Sequence, residues 1–229
     1  MTPDDRRPMD EQIAMQKETY YRLNRRFGPY GILNDREITR LAKEHAMIEP
    51  FAEGAKRPGV ISYGVTSFGY DMRVADEWVE TVLRSGEIID PKFPHPVTKR
   101  DETLYSDFQP LQPGWYSRRL TWFVLPPGAF VLNHSVEYFR MPEDVLGVVV
   151  GKSTYARCGL IVNCTPMEPG WHGHLTIELH NASQHAIKVY ANEGIAQVMF
   201  HRGERPSVTY ADKGGKYQGQ TGVTLGKVE

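Results

Sequence analysis

Only two cysteines, Cys158 and Cys164, occur in 229 residues, so no disulfide framework holds this chain and its stability must come from a buried core. No run of eighteen apolar residues is present, which argues against a membrane-spanning helix, and no membrane partner is expected. The opening MTPDDRRPMDEQ is polar and charged and lacks the apolar stretch of a secretory leader, so cytoplasmic residence is the expectation. An excess of either charge is missing too: 27 Lys and Arg face 28 Asp and Glu, for a formal net charge of −1. Such a balance offers no general attraction to nucleic acid, although a local group of cations can still hold a small polyanion.

What is there suits one sizeable domain with an appendage, since 40% hydrophobic and 24% charged residues are ordinary for a globular protein. Residues 1–30 form a charged extension in which Ile13, Tyr20, Leu23 and Phe27 recur near helical spacing, predicting an amphipathic helix. Asn34 followed by Glu37 reads as a helix start, with Ile38, Leu41, Ala42 and His45 on one face and an end near Ala46. From Val60 onward the text changes to short β-branched and aromatic runs, such as 115–125, 129–133 and 145–150, punctuated by Pro and Gly. That pattern predicts an antiparallel barrel or sandwich, with turns at 110–114, at 125–128 and at Pro142. The four tryptophans read as packing residues. For Asp71 and Arg73 a structural ion pair and a site role are both open, and the 89–107 segment is assigned no function.

Chemistry concentrates between positions 151 and 181, which read GKSTYARCGLIVNCTPMEPGWHGHLTIELHN. If residues 152–157 make one helical turn, Ser153 and Arg157 stand four apart on the same side. From 172 to 180, Leu175, Ile177 and Leu179 alternate with Thr176, Glu178 and His180, so Glu178 lies on the polar face of a strand. Spacing alone leaves blander roles open: Ser153 as a cap, Arg157 and Glu178 as surface ion-pair partners, and His172, His174 and His180 as a shared polar face able to chelate a metal. Near the C-terminus, Gly214, Gly215, Gly219, Gly222 and Gly226 interleave with Lys, Tyr and Gln, predicting a segment that is mobile until a ligand supplies partners.

The segment GKSTYARCG, then NCTPMEPGWHGHLTIELHN and later YANEGIAQVMF, closely resembles the dCTP deaminase family within the dUTPase-like superfamily. The likeness also takes in SYGVTSFGYDMR at 62–73, SVEYFR at 135–140 and YADKGGKYQGQTG at 210–222, and it begins near Gly31. The resemblance implies a mainly β fold, a distorted jelly-roll-like barrel with a few short helices, over residues 31–209. Residues 1–30 would be an N-terminal extension and 210–229 a tail closing over nucleotide. It also implies a homotrimer with sites at subunit boundaries.

By the same resemblance, Glu178 matches the catalytic carboxylate, with Ser153 and Arg157 in support. Lys152 and Thr154 match triphosphate contacts, Thr176 and Ile177 lie beside base and sugar, and Glu168 stands near the deoxyribose. Gln197, Tyr210, Lys216 and Gln220 match further nucleotide contacts. The implied reaction converts dCTP and water to dUTP and ammonia, with Mg²⁺ carried on the triphosphate and dTTP as inhibitor. Many nucleobase deaminases use zinc held by an H-x-E element and P-C-x-x-C; this chain has neither, and no zinc is expected. The G-x-I-D-x-x-Y-R-G type motif of dUTPases is absent as well, and the matching loop reads TPMEPGW. Glu168 in that loop keeps a bifunctional deaminase and dUTP pyrophosphatase open, a dUTPase alone is the other enzymatic alternative, and a nucleotide sensor without activity is the non-enzymatic one.

Overall fold

The computed structural model describes residues 30–54, 57–81, 109–112 and 115–227. The expected N-terminal helix and the 89–107 segment lie outside the described residues. In chain order the elements are β1 (Gly31–Ile32), α1 (Asp35–His45), β2 (Ile48–Glu49), β3 (Gly64–Thr66), β4 (Gly69–Arg73), β5 (Glu77–Thr81), β6 (Gln109–Gln112), β7 (Trp115–Arg119) and β8 (Trp122–Leu125). There follow β9 (Phe130–Arg140), β10 (Val145–Gly151), α2 (Ser153–Ala156), β11 (Leu160–Asn163), β12 (His172–Asn181), β13 (Ile187–Tyr190) and β14 (Gly194–Arg202).

Helix α1 starts where its capping residue predicts, with the Asn34 side chain accepting the Glu37 N–H at 3.1 Å. Its buried face is Ile38, Leu41 and Ala42, while His45 is exposed because the last turn outruns the core. One sheet is built on β14, which pairs with β10 along one edge and with β4 and β1 along the other, β3 folding back on β4. The second runs β11-β12-β9-β5-β7-β6, with β2 on β9, and β8 pairs β13 as a separate ribbon. The named strand pairs are antiparallel, and Tyr70, Met72, Phe139, Ile177, Val198 and Phe200 pack in the core that they enclose. This is a mainly β, distorted jelly-roll-like architecture of the dUTPase-like type. Among the described residues no helix is long and apolar enough to cross a membrane.

Three elements depart from the sequence pattern. Pro110 is not in a turn but in β6, the edge of its sheet, where a missing N–H costs least and the pairing slips between Pro110 and Gln112. The 115–125 run divides between two sheets, as β7 and β8. Strand β9 continues to Arg140 through Asn133, Ser135 and Glu137, all fully buried yet each bonded. Asn133 exchanges two hydrogen bonds of 3.1 Å with the Ala75 backbone, and Ser135 Oγ donates to the Glu137 carbonyl at 2.6 Å. Glu137 accepts from Arg73 Nε at 2.7 Å and from the Arg73 N–H at 3.0 Å. Arg73 therefore pairs with Glu137, and Asp71 with Lys152, rather than with each other.

Three tryptophans, Trp78, Trp115 and Trp171, are buried as the packing reading requires, and Trp122 is exposed.

Candidate active site

Strand β12 alternates part-buried and buried along its whole length, so Leu175, Ile177 and Leu179 enter the core while Thr176 and Glu178 face out of it. A bulge between His174 and Thr176, where the Leu175 N–H bonds Ser135 Oγ at 2.8 Å, adjusts the aim of the residues that follow. Thr176 and Glu178 open into a cavity of about 470 Å³. Its wall is completed by Leu132 of β9, by the 165–171 loop and by Tyr210, Lys216, Tyr217, Gln220 and Thr224 of the tail.

The loop is held by reciprocal 2.9 Å backbone bonds between Met167 and Gly147. Trp171, buried at its end, donates its indole N–H to the Tyr217 carbonyl at 3.0 Å. The tail follows. The Tyr210 N–H bonds the Pro169 carbonyl at 3.0 Å, and the Tyr217 N–H bonds the Tyr210 hydroxyl at 3.1 Å. Gly215 lies against the Tyr210 ring, where an added Cβ would stand 2.1 Å from a ring carbon. The Gly219 N–H donates to the His172 carbonyl at 2.8 Å, the His174 N–H donates to the Gln220 carbonyl at 3.0 Å, and Gln220 forms a parallel bridge with Gly173. Gly173 has φ 153°, and a Cβ there would meet the Trp171 ring at 2.9 Å and the Gln220 carbonyl at 3.0 Å, so only glycine admits the tail this closely. Thr176 Oγ1 accepts from Gln220 Nε2 and from the Thr224 N–H, both at 3.3 Å.

Glu178 stands opposite Asn163 in the β11–β12 register, and the Asn163 amide donates to its carboxylate at 3.2 Å. Among the described residues no lysine, arginine or histidine makes an ion pair with it. Burial raises its pKa above the ordinary glutamate value, while its own backbone N–H and the Asn163 amide pull the other way. Burial also pushes the neighbouring Cys164 thiol up, and the Glu178 charge adds to that. A part-buried carboxylate with a raised pKa, held only by neutral donors inside a cleft, is equipped to exchange protons with a ligand.

The cavity thus gathers Glu178, Glu168, Thr176, Tyr210, Lys216 and Gln220. Glu168 is exposed at its rim, 3.9 Å from Lys213. Ile177 is fully buried in the core and is not part of the lining. Lys152, Ser153, Thr154, Arg157 and Gln197 lie outside the lining. Residues 152–157 do form the expected helical turn, α2, with Ser153, Thr154 and Arg157 exposed. Lys152 is ion-paired to Asp71, and Gln197, opposite Asp71 in register, donates to Thr66 Oγ1 at 2.8 Å. The three histidines of β12 do not converge: His172 Nδ1 meets the Tyr138 hydroxyl at 2.5 Å and His174 Nδ1 meets the Ser135 carbonyl at 3.0 Å. Among the described residues no three His, Cys, Asp or Glu side chains form a metal-binding group.

Sequence reasoning missed Asn163, Trp171 and Tyr217. Only Asn163 had a usable signal, since pairing the 160–163 run with 178–181 across the proline-rich loop sets it opposite Glu178.

Comparison with known proteins identifies the family. The chain is 51% identical over 199 residues to a dCTP deaminase of Herpetosiphon aurantiacus, covering 86% of this chain and 100% of that protein. It is 49% identical over 199 residues to a dCTP deaminase of Gemmatimonas aurantiaca, with 86% and 100% covered. The crystal structure of 2′-deoxycytidine 5′-triphosphate deaminase from Agrobacterium tumefaciens superposes with a TM-score of 0.53 at 18% identity, over 76% of this chain and 49% of that one, and supports the fold. The family profile described as dCTP deaminase-like matches residues 32–203, which hold the β core and every residue of the 151–181 block, and the chain belongs to the dCTP deaminase-like family.

Proposed function

We propose that this protein hydrolyses the 4-amino group of dCTP, giving dUTP and ammonia, with Glu178 moving the protons. The observation that carries this reading is a part-buried carboxylate without an ion-paired cation in a cavity that has Lys216 on its rim. Water adds to C4 as its proton passes to the Glu178 carboxylate. That proton is returned to N3, and the proton of the added hydroxyl then passes through Glu178 to the exocyclic nitrogen, which leaves as ammonia while the C4 carbonyl forms. A pKa raised toward the working pH suits one group to both transfers. Asn163 fixes one carboxylate oxygen, so the other is free for water.

Thr176 and the backbone at Ile177 lie beside base and sugar, and Tyr210, Lys216 and Gln220 cover the nucleotide. Glu168 reaches the deoxyribose side from the rim. Mg²⁺ arrives on the triphosphate oxygens, and no zinc takes part. The setting is the cytoplasm, in pyrimidine deoxynucleotide synthesis, and dTTP restrains the enzyme by competing for the same pocket.

Ser153 and Arg157, with Lys152, Thr154 and Gln197 as nucleotide contacts, belong to the same reaction by family resemblance yet stand outside the Glu178 cavity of their own protomer. A homotrimer reconciles the two, with α2 of one protomer completing the cavity of the next.

Purified protein incubated with dCTP and magnesium should release ammonia without pyrophosphate. No ammonia would overturn the reading, and pyrophosphate alongside it would establish the bifunctional alternative. Activity lost to a zinc chelator and restored by Zn²⁺ would refute the zinc-free mechanism. For the shared site, inactive Glu178→Gln and Arg157→Ala chains assembled together should recover about a quarter of wild-type activity, since random mixing leaves that share of interfaces with both residues. Recovery of none would confine the site to one protomer.

A further inference from the structure

Where the tail ends its path over the cavity, two lysines hold each other's backbone. Lys216 Nζ donates to the Lys227 carbonyl at 2.7 Å, and Lys227 Nζ donates to the Lys216 carbonyl at 3.0 Å. The Lys227 N–H donates to the Tyr217 hydroxyl at 3.1 Å. Both ammonium groups lie near the Tyr217 ring, 5.4 and 5.8 Å from its centroid. Lys43, Lys152 and Lys213 each face a carboxylate, whereas among the described residues Lys216 and Lys227 face none.

This is an odd use of charge. Each ammonium has three donors and one carbonyl, and two cations share one aromatic ring without an acid between them. Like charges so placed repel, and an anion with several oxygens would relieve the repulsion and fill the spare donors. The pair also sits where such an anion would arrive. Lys216, Tyr217 and Gly226 line the Glu178 cavity, with Glu178 part-buried and both lysines exposed. A ligand with a neutral ring at one end and a polyanion at the other matches that polarity.

We infer that Lys227 is a second phosphate-binding residue of this cavity. With a nucleoside triphosphate bound, Lys216 and Lys227 exchange each other's carbonyls for phosphate oxygens, and Tyr217 keeps the two cations apart as a common spacer. The inference rests on the proposed reading of that cavity as a nucleoside triphosphate site.

The test uses the full chain carrying Glu178→Gln, so that ligand is not consumed, and measures dissociation constants for dCMP, dCDP and dCTP with magnesium by NMR titration. Adding Lys227→Met should weaken dCTP about tenfold, with a loss that shrinks as phosphates are removed, and Lys227→Arg should restore most of it. The dependence of dCTP affinity on salt should also become shallower in Lys227→Met. An equal loss for all three nucleotides would make Lys227 a tether for the tail and overturn the inference, as would no loss at all. Failure of the Glu178→Gln chain itself to bind dCTP would overturn the reading of the cavity and the inference with it.

Discussion

Two glutamates on neighbouring strands meet burial in opposite ways. Glu137 on β9 is wholly enclosed and is given Arg73, the Arg73 N–H and the Tyr70 hydroxyl, the last at 3.2 Å. Glu178 on β12 is part-buried and is given only neutral donors, the Asn163 amide and its own backbone N–H. Burial raises both carboxyls, but at Glu137 the guanidinium opposes the rise, and at Glu178 only weak donors do. The first carboxylate is locked into the architecture. The second is left with spare oxygen lone pairs directed at a cavity, so partners and access, more than burial itself, separate a structural acid from a chemical one.

The contrast can be broken at either side. Glu178→Gln should lower kcat by at least about 10³-fold, near 4 kcal/mol, while nucleotide binding and unfolding stability stay close to wild type. A variant that turns over normally would end the proposed mechanism. Arg73→Met should do the reverse, destabilising the fold by about 3 kcal/mol in urea unfolding because a buried carboxylate loses its counter-charge. If stability holds, the Glu137 pair is not structural.

Asn163→Ala sharpens the comparison by removing the donor that favours the ionised form of Glu178. Its pKa then rises further, the proton-accepting form is lost sooner on acidification, and the acid limb of kcat/KM against pH moves to higher pH. A limb that stays in place would mean that the amide does not act on this carboxylate.

The smallest effect is expected at Glu37 on α1, a carboxylate of a third kind, whose pKa is lowered from 4.5 to about 2 by hydrogen bonds to Arg40 and Arg202. Its folded value lies below the unfolded one, so its contribution to stability is complete above pH 4.5 and is lost as pH falls through about 2. Glu37→Gln should flatten melting temperature against pH within that window and lower it modestly near neutrality, where the contribution of the ionised carboxylate is complete.

Elements with local signals were legible in the sequence. Asn34 and Glu37 announce α1, and the alternation from Leu175 to His180 announces both β12 and the outward aim of Glu178. Strand β9 was only half visible, because Asn133, Ser135 and Glu137 break the apolar pattern at buried positions whose partners come from Ala75, Leu175 and Arg73, distant in sequence. The turn bearing Ser153 and Arg157 was readable, but its position outside the lining of the Glu178 cavity is set by the fold, which no local pattern encodes. Glycine content predicted a tail that is mobile until a ligand supplies partners. It could not speak to the backbone bonds from Gly219 and Gln220 that seat it, since every residue but proline carries the same N–H and carbonyl.

Those bonds have a consequence for the lone protomer in solution. Strand β11 covers β12 only from position 178 onward, and the bridge at Gly173 with the contacts at His172 and His174 occupies part of the remaining flank. A chain truncated before Thr209 would bare that flank, an unpaired β edge able to recruit a strand from another copy. The segment proposed to shelter the nucleotide therefore doubles as a guard against misassembly.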